Sequence, residues 1–259
     1  MTDRRPMWAP DVLDGVTAIV TGASRGIGRA ITAAYVDAGA RVVLVSRSQS
    51  SLDEACAAID PTGKRVLAVS ADIGEDGAGG HVLTRAIERF GEVTTLVNNA
   101  GIHYPTPFLE TKSSDWENIV HTNVIGLADM TRAVGAHLVE RGSGTVINVS
   151  SSWAVRAVPG HTAYVTSKAA VAHFTRTLAR EWASRGVTVN AIAPGYFNTE
   201  ITAEGMKDPA MLKQMLRNVP LKWIAEPEEL GPLAVFLASR AAAYVTGSSF
   251  TIDGGMELV

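Results

Sequence analysis

Seven short apolar runs, separated by helix-patterned stretches, limit what this chain can fold into more than any other feature. They read TAIVTG, RVVLVS, RVLAVSAD, TTLVNNAG, GTVINVSS, VTVNAIAPG and SSFTIDGG. Each is rich in Val, Ile or Thr and closes on Gly, Ser, Asp or Asn, as a buried strand does where it meets a turn. Their hydrophobicity is nearly continuous rather than alternating, which a parallel strand covered on both faces requires. The stretches 26–39, 50–60, 77–90, 113–141, 162–185 and 226–239 between them carry helical patterning. Strand and helix in alternation predict an α/β fold, a doubly wound parallel sheet of about seven strands with helices on both faces.

No linker, repeat or low-complexity segment interrupts this rhythm, so a single domain over residues 1–259 is expected. Two stretches depart from it. Residues 1–14 carry charges and prolines and read as a loose arm before the first strand. Residues from about 198 to 225, NTEITAEGMKDPAMLKQMLRNVPLKWIA, form a long excursion around a helical piece and read as a substrate lid. Within it Met206, Met211, Leu212, Met215 and Leu216 make an apolar stripe at helical spacing, which fits packing as well as a substrate wall.

A formal charge of −3 offers no basic field for nucleic acid or an anionic membrane. The one cysteine, Cys56, cannot form an internal disulfide and fits a reducing interior. No secretory h-region and no run of membrane-spanning length is seen, so the cytoplasm is the expected location. There is no cluster of metal-ligand spacing, and no metal is expected.

The first run leads directly into TGASRGIG, a glycine-rich turn placed between a strand and a helix. In this context Gly22 permits the tight turn, Gly26 lets the backbone approach a pyrophosphate, and Gly28 lets helix and strand pack closely. Ser24, Arg25 and Ile27 lie in the same turn, and the helix N-terminus offers unpaired N–H groups to an anion. The sheet is therefore of Rossmann type. About twenty residues on, where an NAD site would place an acid for the ribose hydroxyls, the chain has Ser46 followed by Arg47. Arg47 and Arg25 can hold a 2′-phosphate that a carboxylate would repel, so NADP(H) is expected over NAD(H).

The chemistry sits in the second half. Tyr164 and Lys168 are four residues apart in HTAYVTSKAA, Ser151 is thirteen residues before the tyrosine, and Asn123 lies in HTNVIGL. On a helix, positions i and i+4 share a face, so the ammonium stands beside the phenol and favours its ionised form. Phenol, ammonium, hydroxyl and amide together suit proton movement at a carbinol or carbonyl while a nicotinamide moves the hydride.

These motifs occur in an order that resembles the short-chain dehydrogenase/reductase family, from Thr17 to about Met256. They are TGASRGIG, the ADI step at Asp72, NNAG at Asn98–Gly101, then Asn123, Ser151, Tyr164 with Lys168, and PGYFNT at Pro194–Thr199. The resemblance implies that Tyr164 is the general acid/base and that Lys168 lowers its pKa and holds the nicotinamide ribose. Ser151 would position the substrate oxygen, and Asn123 would support a proton relay through water. It also implies cofactor contacts from Asp72 and Ile73 to the adenine, and from Asn99, Ala100 and Gly101 to the adenosine ribose. Pro194, Gly195, Phe197 and Thr199 would line the nicotinamide. A homotetramer is implied, its long helices at 113–141 and 162–185 pairing between subunits and the C-terminal strand region making a second contact, with a dimer as the alternative.

Candidates for the substrate side are His103, Tyr104, Trp153, His161 and Tyr196. PGYFNTEIT and the DGGM ending resemble the branch containing gluconate 5-dehydrogenases, with 3-oxoacyl carrier-protein reductases as neighbours. The first group usually carries an arginine soon after NNAG, and IHYPTPF has none. The second needs a basic patch, for which Lys207, Lys213, Arg217 and Lys222 are candidates. The leading expectation is an NADP(H)-dependent oxidoreductase acting on a ketone or secondary alcohol. A keto sugar acid or carrier-bound thioester remains an alternative substrate, and a non-catalytic NADP-binding sensor an alternative of another class.

Overall fold

The structure, a computed structural model, describes residues 8–258. Seven strands lie in one sheet: β1 (Thr17–Thr21), β2 (Arg41–Ser46), β3 (Val66–Ser70), β4 (Thr95–Asn98), β5 (Gly144–Val149), β6 (Val187–Pro194) and β7 (Ser249–Ile252). They run parallel in the order β3-β2-β1-β4-β5-β6-β7. Val20 of β1 pairs with Leu44 on one side and Val97 on the other. The direction of winding therefore reverses between β1 and β4, which opens a crevice at the carboxyl ends of the strands.

The continuous hydrophobicity of the runs serves two cores at once. Ala18, Val20, Val42 and Leu44 face a cluster with Ile31, Tyr35 and Leu237. The intervening Ile19, Val43 and Val45 face Val82, Met130, Val134 and Leu138 on the other side. Successive strand residues point to opposite faces, so a strand with helices above and below needs an apolar residue at every position.

The helices are α1 (Gly26–Asp37), α2 (Gln49–Ile59), α3 (Ala78–Phe90), α4 (Ser113–Val120), α5 (Leu127–Arg141), α6 (Thr162–Trp182), α7 (Glu200–Lys207), α8 (Pro209–Arg217) and α9 (Gly231–Ala238). The stretch 113–141, expected as one helix, is continuous but carries a π-helical segment at His121–Gly126 between α4 and α5. Gly126 packs so closely on Ile73 that a Cβ there would lie 2.8 Å from the Ile73 carbonyl oxygen. The lid holds two helices rather than one helical piece. The break falls at Asp208, whose carboxylate accepts from the Ala210 amide at 2.8 Å, with Pro209 opening the next helix. Part of the methionine stripe serves this packing: Met215 is buried, and Met211 and Met215 set their sulfurs against Gly205 of α7.

The arm expected to be loose is packed where it is described. Residues 10–15 form a turn, Trp8 rests on the first core cluster, and Leu13 is fully buried. The Leu13 amide donates to the Ala38 carbonyl at 2.8 Å, fastening the turn to the end of α1. Charges and prolines dominate this segment, but one leucine decides its placement; residues 1–7 lie outside the described residues. Leu13→Ala should lower the unfolding free energy by about 2–5 kcal/mol, read as a fall in the urea midpoint at unchanged slope.

Candidate active site

The carboxyl ends of β1 and β4 meet through one hydroxyl. Thr21 Oγ1 accepts from the amides of Asn99 and Ala100, both at 3.0 Å. Asn99 returns the contact, its Nδ2 donating to the carbonyls of Thr21 at 2.9 Å and Gly22 at 3.2 Å. The turn is thereby held too tight for a side chain at Gly22 or Gly28. A Cβ at Gly28 would lie 2.3 Å from the Gly22 oxygen, and one at Gly22 would lie 2.8 Å from Asn99 Nδ2. Gly22 and Gly26 also have positive φ. Arg25, the residue before α1, makes no side-chain hydrogen bond to the helix N-terminus, so the first amides of α1 are left to another acceptor. A glycine cradle ending in an uncapped helix N-terminus fits a dinucleotide pyrophosphate.

The arginines flank this cradle and neither is alone. Arg25 pairs with Glu200, the first residue of α7. Arg47 is exposed after β2, 4.0 Å from an Asp72 oxygen, and Asp72 accepts from the Gly74 amide at 3.0 Å. Ser46 closes β2 beside it. Thr199 closes the other end of the track: a Cβ at Gly26 would touch its methyl at 3.4 Å.

The proton-moving groups gather beyond the end of β5. Ser151 follows the strand in extended conformation; its Oγ accepts from the Trp153 amide at 3.1 Å and lies close enough to the Tyr164 phenol to draw its pKa down. Its neighbours differ: Ser150 Oγ donates to the Lys168 carbonyl at 2.9 Å, and Ser152 Oγ is buried without a partner among the described residues. Tyr164 and Lys168 share one face of α6, with the ammonium 5.7 Å from the phenol ring centre. Lys168 Nζ is buried and donates to the Val149 carbonyl at 2.8 Å. Asn123, fully buried in the π segment, accepts from Ile102 N at 2.8 Å and donates to Ile102 O and Ser167 Oγ, both at 3.0 Å. Gly101 lies between: a Cβ there would stand 3.2 Å from Asn123 Oδ1 and 3.4 Å from Lys168 Nζ.

Burial sets the protonation of this group. It pushes the Tyr164 phenol up to about 12, with the Ser151 hydrogen bond pulling the other way. It pushes Lys168 down to about 8. The spacing predicts a phenol lowered by Lys168; in the structure burial raises it, and the ammonium is turned to the Val149 carbonyl. A protonated phenol is the form that can donate.

Four of the five substrate candidates form one aromatic cluster around the phenol. The His103 ring lies 4.6 Å from that of Tyr164 and 4.9 Å from that of His161, centre to centre. Trp153 stands 4.7 Å from His161, 6.2 Å from Tyr164 and 5.9 Å from Tyr196. Tyr104 is not part of it; its hydroxyl accepts from Asn118 of α4 at 3.4 Å. Two cofactor candidates also turn elsewhere. Phe197 is buried in the first core cluster with Val149 and Ile192, and Ile73 in the second, so each offers a ligand little beyond its backbone. Gly195 is a glycine because of Asp253, whose Cβ would be 2.5 Å from an added Cβ.

A family model described as "Enoyl-(Acyl carrier protein) reductase", of the short-chain dehydrogenase type, matches residues 22–257. The chain belongs to the short-chain dehydrogenase/reductase family. It is 40% identical over 248 residues to a galactitol 2-dehydrogenase (L-tagatose-forming) of Cereibacter sphaeroides, covering 94% of this chain and 95% of that one. It is 38% identical to a 3-oxoacyl-[acyl-carrier-protein] reductase of Synechocystis sp., covering 95% and 98%. A gluconate 5-dehydrogenase of Burkholderia cenocepacia, solved with NADP and tartrate, superposes with a TM-score of 0.91 at 30% identity, covering 96% and 98%. As a short-chain dehydrogenase/reductase, the protein is an oxidoreductase acting on CH–OH and C=O groups.

Of the side chains that hold this site in place, the family motifs include Asn98 but leave out Asn148, Thr131 and Thr175. Asn98 Nδ2 donates to Thr131 at 2.8 Å and to Asn148 at 2.9 Å, and Asn148 Nδ2 donates to Thr175 at 2.9 Å. This buried chain ties β4 and β5 to α5 and α6. Its signal in the sequence is an asparagine inside each of two apolar runs, where a buried amide must find partners. Gly28→Ala should reduce dinucleotide affinity at least about tenfold, since the added carbon forces the Gly22 carbonyl out of the turn; fluorescence titration with NADPH and NADH reads this directly.

Proposed function

We propose that the protein reduces the carbonyl of a small organic substrate, and oxidises the matching alcohol, using NADP(H) in preference to NAD(H). The observation that carries this reading is the meeting of Ser151, Tyr164 and Lys168 beyond the end of β5, with Asn123 one glycine away. A nicotinamide, when bound, supplies or accepts the hydride at the reacting carbon. Tyr164 gives its proton to the substrate oxygen in reduction, and burial keeps that proton on the phenol until the substrate needs it. Ser151 donates to the same oxygen and fixes its position. Lys168, whose ammonium lies beside the ring, stabilises the phenolate left behind and holds the ribose hydroxyls. Asn123 braces the loop at Ile102 and supports the water through which the proton is replaced. No metal takes part in this scheme.

Arg47 is the reader of the 2′-phosphate in this proposal. Arg25 is engaged with Glu200, whereas Arg47 is exposed and only loosely held, and Ser46 puts no carboxylate in the way. NADP in the gluconate 5-dehydrogenase relative supports the same choice. A carrier-bound substrate is less well served, because Lys222 Nζ is turned onto the carbonyls of Leu216 and Arg217. The sensor reading loses ground because all four proton-moving groups are present together, Asn123, Ser151 and Lys168 buried and Tyr164 half-buried.

We further assign a homotetramer, with α4, α5 and α6 as one contact and the β7 edge, where Tyr244 and Leu258 are exposed, as the other. No helix among the described residues is long and apolar enough to cross a membrane. Cys56 is free and burial pushes its thiol up to about 11, which suits the cytoplasm proposed for the protein.

Tyr164→Phe should bind NADPH normally and turn over at least about a hundredfold more slowly, as removal of a general acid requires; near-normal turnover at 340 nm would sink the assignment. Arg47→Asp should move the NADPH/NADH ratio of kcat/KM towards NADH by at least about tenfold. An unchanged ratio would place the phosphate contact on another residue.

A further inference from the structure

His103 and His161 are more than two aromatic rings beside the phenol. His103 Nε2 and His161 Nδ1 are 2.7 Å apart, a hydrogen bond between two ring nitrogens. Such a bond needs one proton and one lone pair. Each neutral imidazole has one of each, so the two outer nitrogens are constrained as well. If His103 donates, its Nδ1 is an acceptor and His161 Nε2 carries the proton. If His161 donates, the roles at both outer nitrogens exchange. In either tautomer the pair presents one donor and one acceptor at its outer ends. Among the described residues neither outer nitrogen has a hydrogen-bond partner.

The surroundings keep the pair uncharged. Burial, with His161 adding to it, pushes His103 down to about 4, and burial lowers His161 as well. Trp153 and Tyr164 close on the rings from the neighbouring turn and from α6. The cations nearest this cluster are committed: Lys168 Nζ to the Val149 carbonyl, and Arg156, which faces Tyr196, to the Met256 carbonyl at 2.6 Å. Hence the wall next to Tyr164 is aromatic and neutral, and its hydrogen-bonding capacity is balanced.

We infer that the His103–His161 pair reads a hydroxyl adjacent to the reacting carbon, so that the preferred substrates are uncharged hydroxyketones and the diols they form. The inference rests on the reductase reading above and narrows it. A hydroxyl both donates and accepts, so it satisfies either tautomer of the pair. A carboxylate only accepts, and no uncommitted cation in the cluster compensates its desolvation. A bare ketone leaves a polar nitrogen facing apolar substrate surface, which costs binding. The aromatic faces of Trp153 and Tyr196 then cover the carbon skeleton.

Three phenyl ketones separate these cases: 2-hydroxyacetophenone, acetophenone and benzoylformate, which differ only in the group next to the carbonyl. With the full-length protein and NADPH, kcat/KM for the hydroxyketone should exceed that for acetophenone at least about tenfold. Most of the difference should lie in KM, and benzoylformate should not exceed acetophenone. His103→Phe and His161→Phe should each bring the first ratio close to one, and His103→Gln, which retains a donor and an acceptor, should restore part of it. Cooperative thermal melting of each variant checks the fold. Equal use of the first two ketones by the wild-type protein, or a ratio unmoved in both Phe variants, overturns the role of the pair and leaves the reductase reading intact. Preference for benzoylformate overturns it in favour of Arg156 as a carboxylate anchor. Absence of turnover with all three overturns the hydroxyketone assignment, whereas the reductase reading stands or falls with the loss of turnover in Tyr164→Phe.

Discussion

A single threonine hydroxyl holds together the two halves of this molecule's chemistry. Thr21 stands at the last position of β1, where the winding of the sheet reverses, and accepts two amides from the chain leaving β4. Through that contact Asn99 is brought over the glycine turn, and its amide forbids side chains at Gly22 and Gly28. Two residues further, Gly101 passes between Asn123 and Lys168. The phosphate cradle and the proton-moving cluster are thus consecutive stops on one short loop, and a shift of either would be felt by the other. A hydroxyl can do this because its oxygen has two lone pairs, and both amides reach it within ordinary hydrogen-bond distance.

The cost of this arrangement is concentrated at Lys168. An ammonium with almost no solvent contact is expensive, and the depression of its pKa is the measure of that expense. The fold meets it with the Val149 carbonyl for the charge, Ser150 on the lysine's own backbone, and a tightly packed β5–α6 contact reinforced by the Asn148–Thr175 bond. They account for the polar residues at the carboxyl ends of β4 and β5.

Much of this was legible in the sequence because the constraints are local. A two-sided strand must be apolar at every position, and a turn that admits no Cβ must be glycine, so the sheet and the cradle are written where they occur. Ser151 is chosen among three serines by its distance from Tyr164; in the structure Ser150 is bonded to the Lys168 carbonyl and Ser152 is buried without a partner among the described residues. What escaped depends on direction rather than position. Phe197 and Ile73 stand where a cofactor contact is expected, yet their side chains turn into the two cores. The i,i+4 spacing puts Lys168 beside Tyr164 but says nothing of the carbonyl that draws the ammonium, nor of the desolvation that raises the phenol. Leu13 was hidden among charges and prolines although its burial decides the path of the segment. The break at Asp208–Pro209 did have a local signal, an N-cap residue followed by a helix-opening proline.

The π-helical segment between α4 and α5 has a further meaning for how this chain can vary. It accommodates one more residue per turn than the helices it joins. Upstream of it, the helix begins at Ser113 over the loop from β4; within it, Asn123 points at that loop; beyond it, Met130, Val134 and Leu138 must face the sheet. Removing a single residue from 121–126 would let the segment close to ordinary α-helical winding, so that α5 kept its core face while Asn123 lost the position the wider turn gives it. The extra residue serves the asparagine rather than the core, and a shorter version of this stretch would keep its sheet packing and lose its grip on the loop at Ile102.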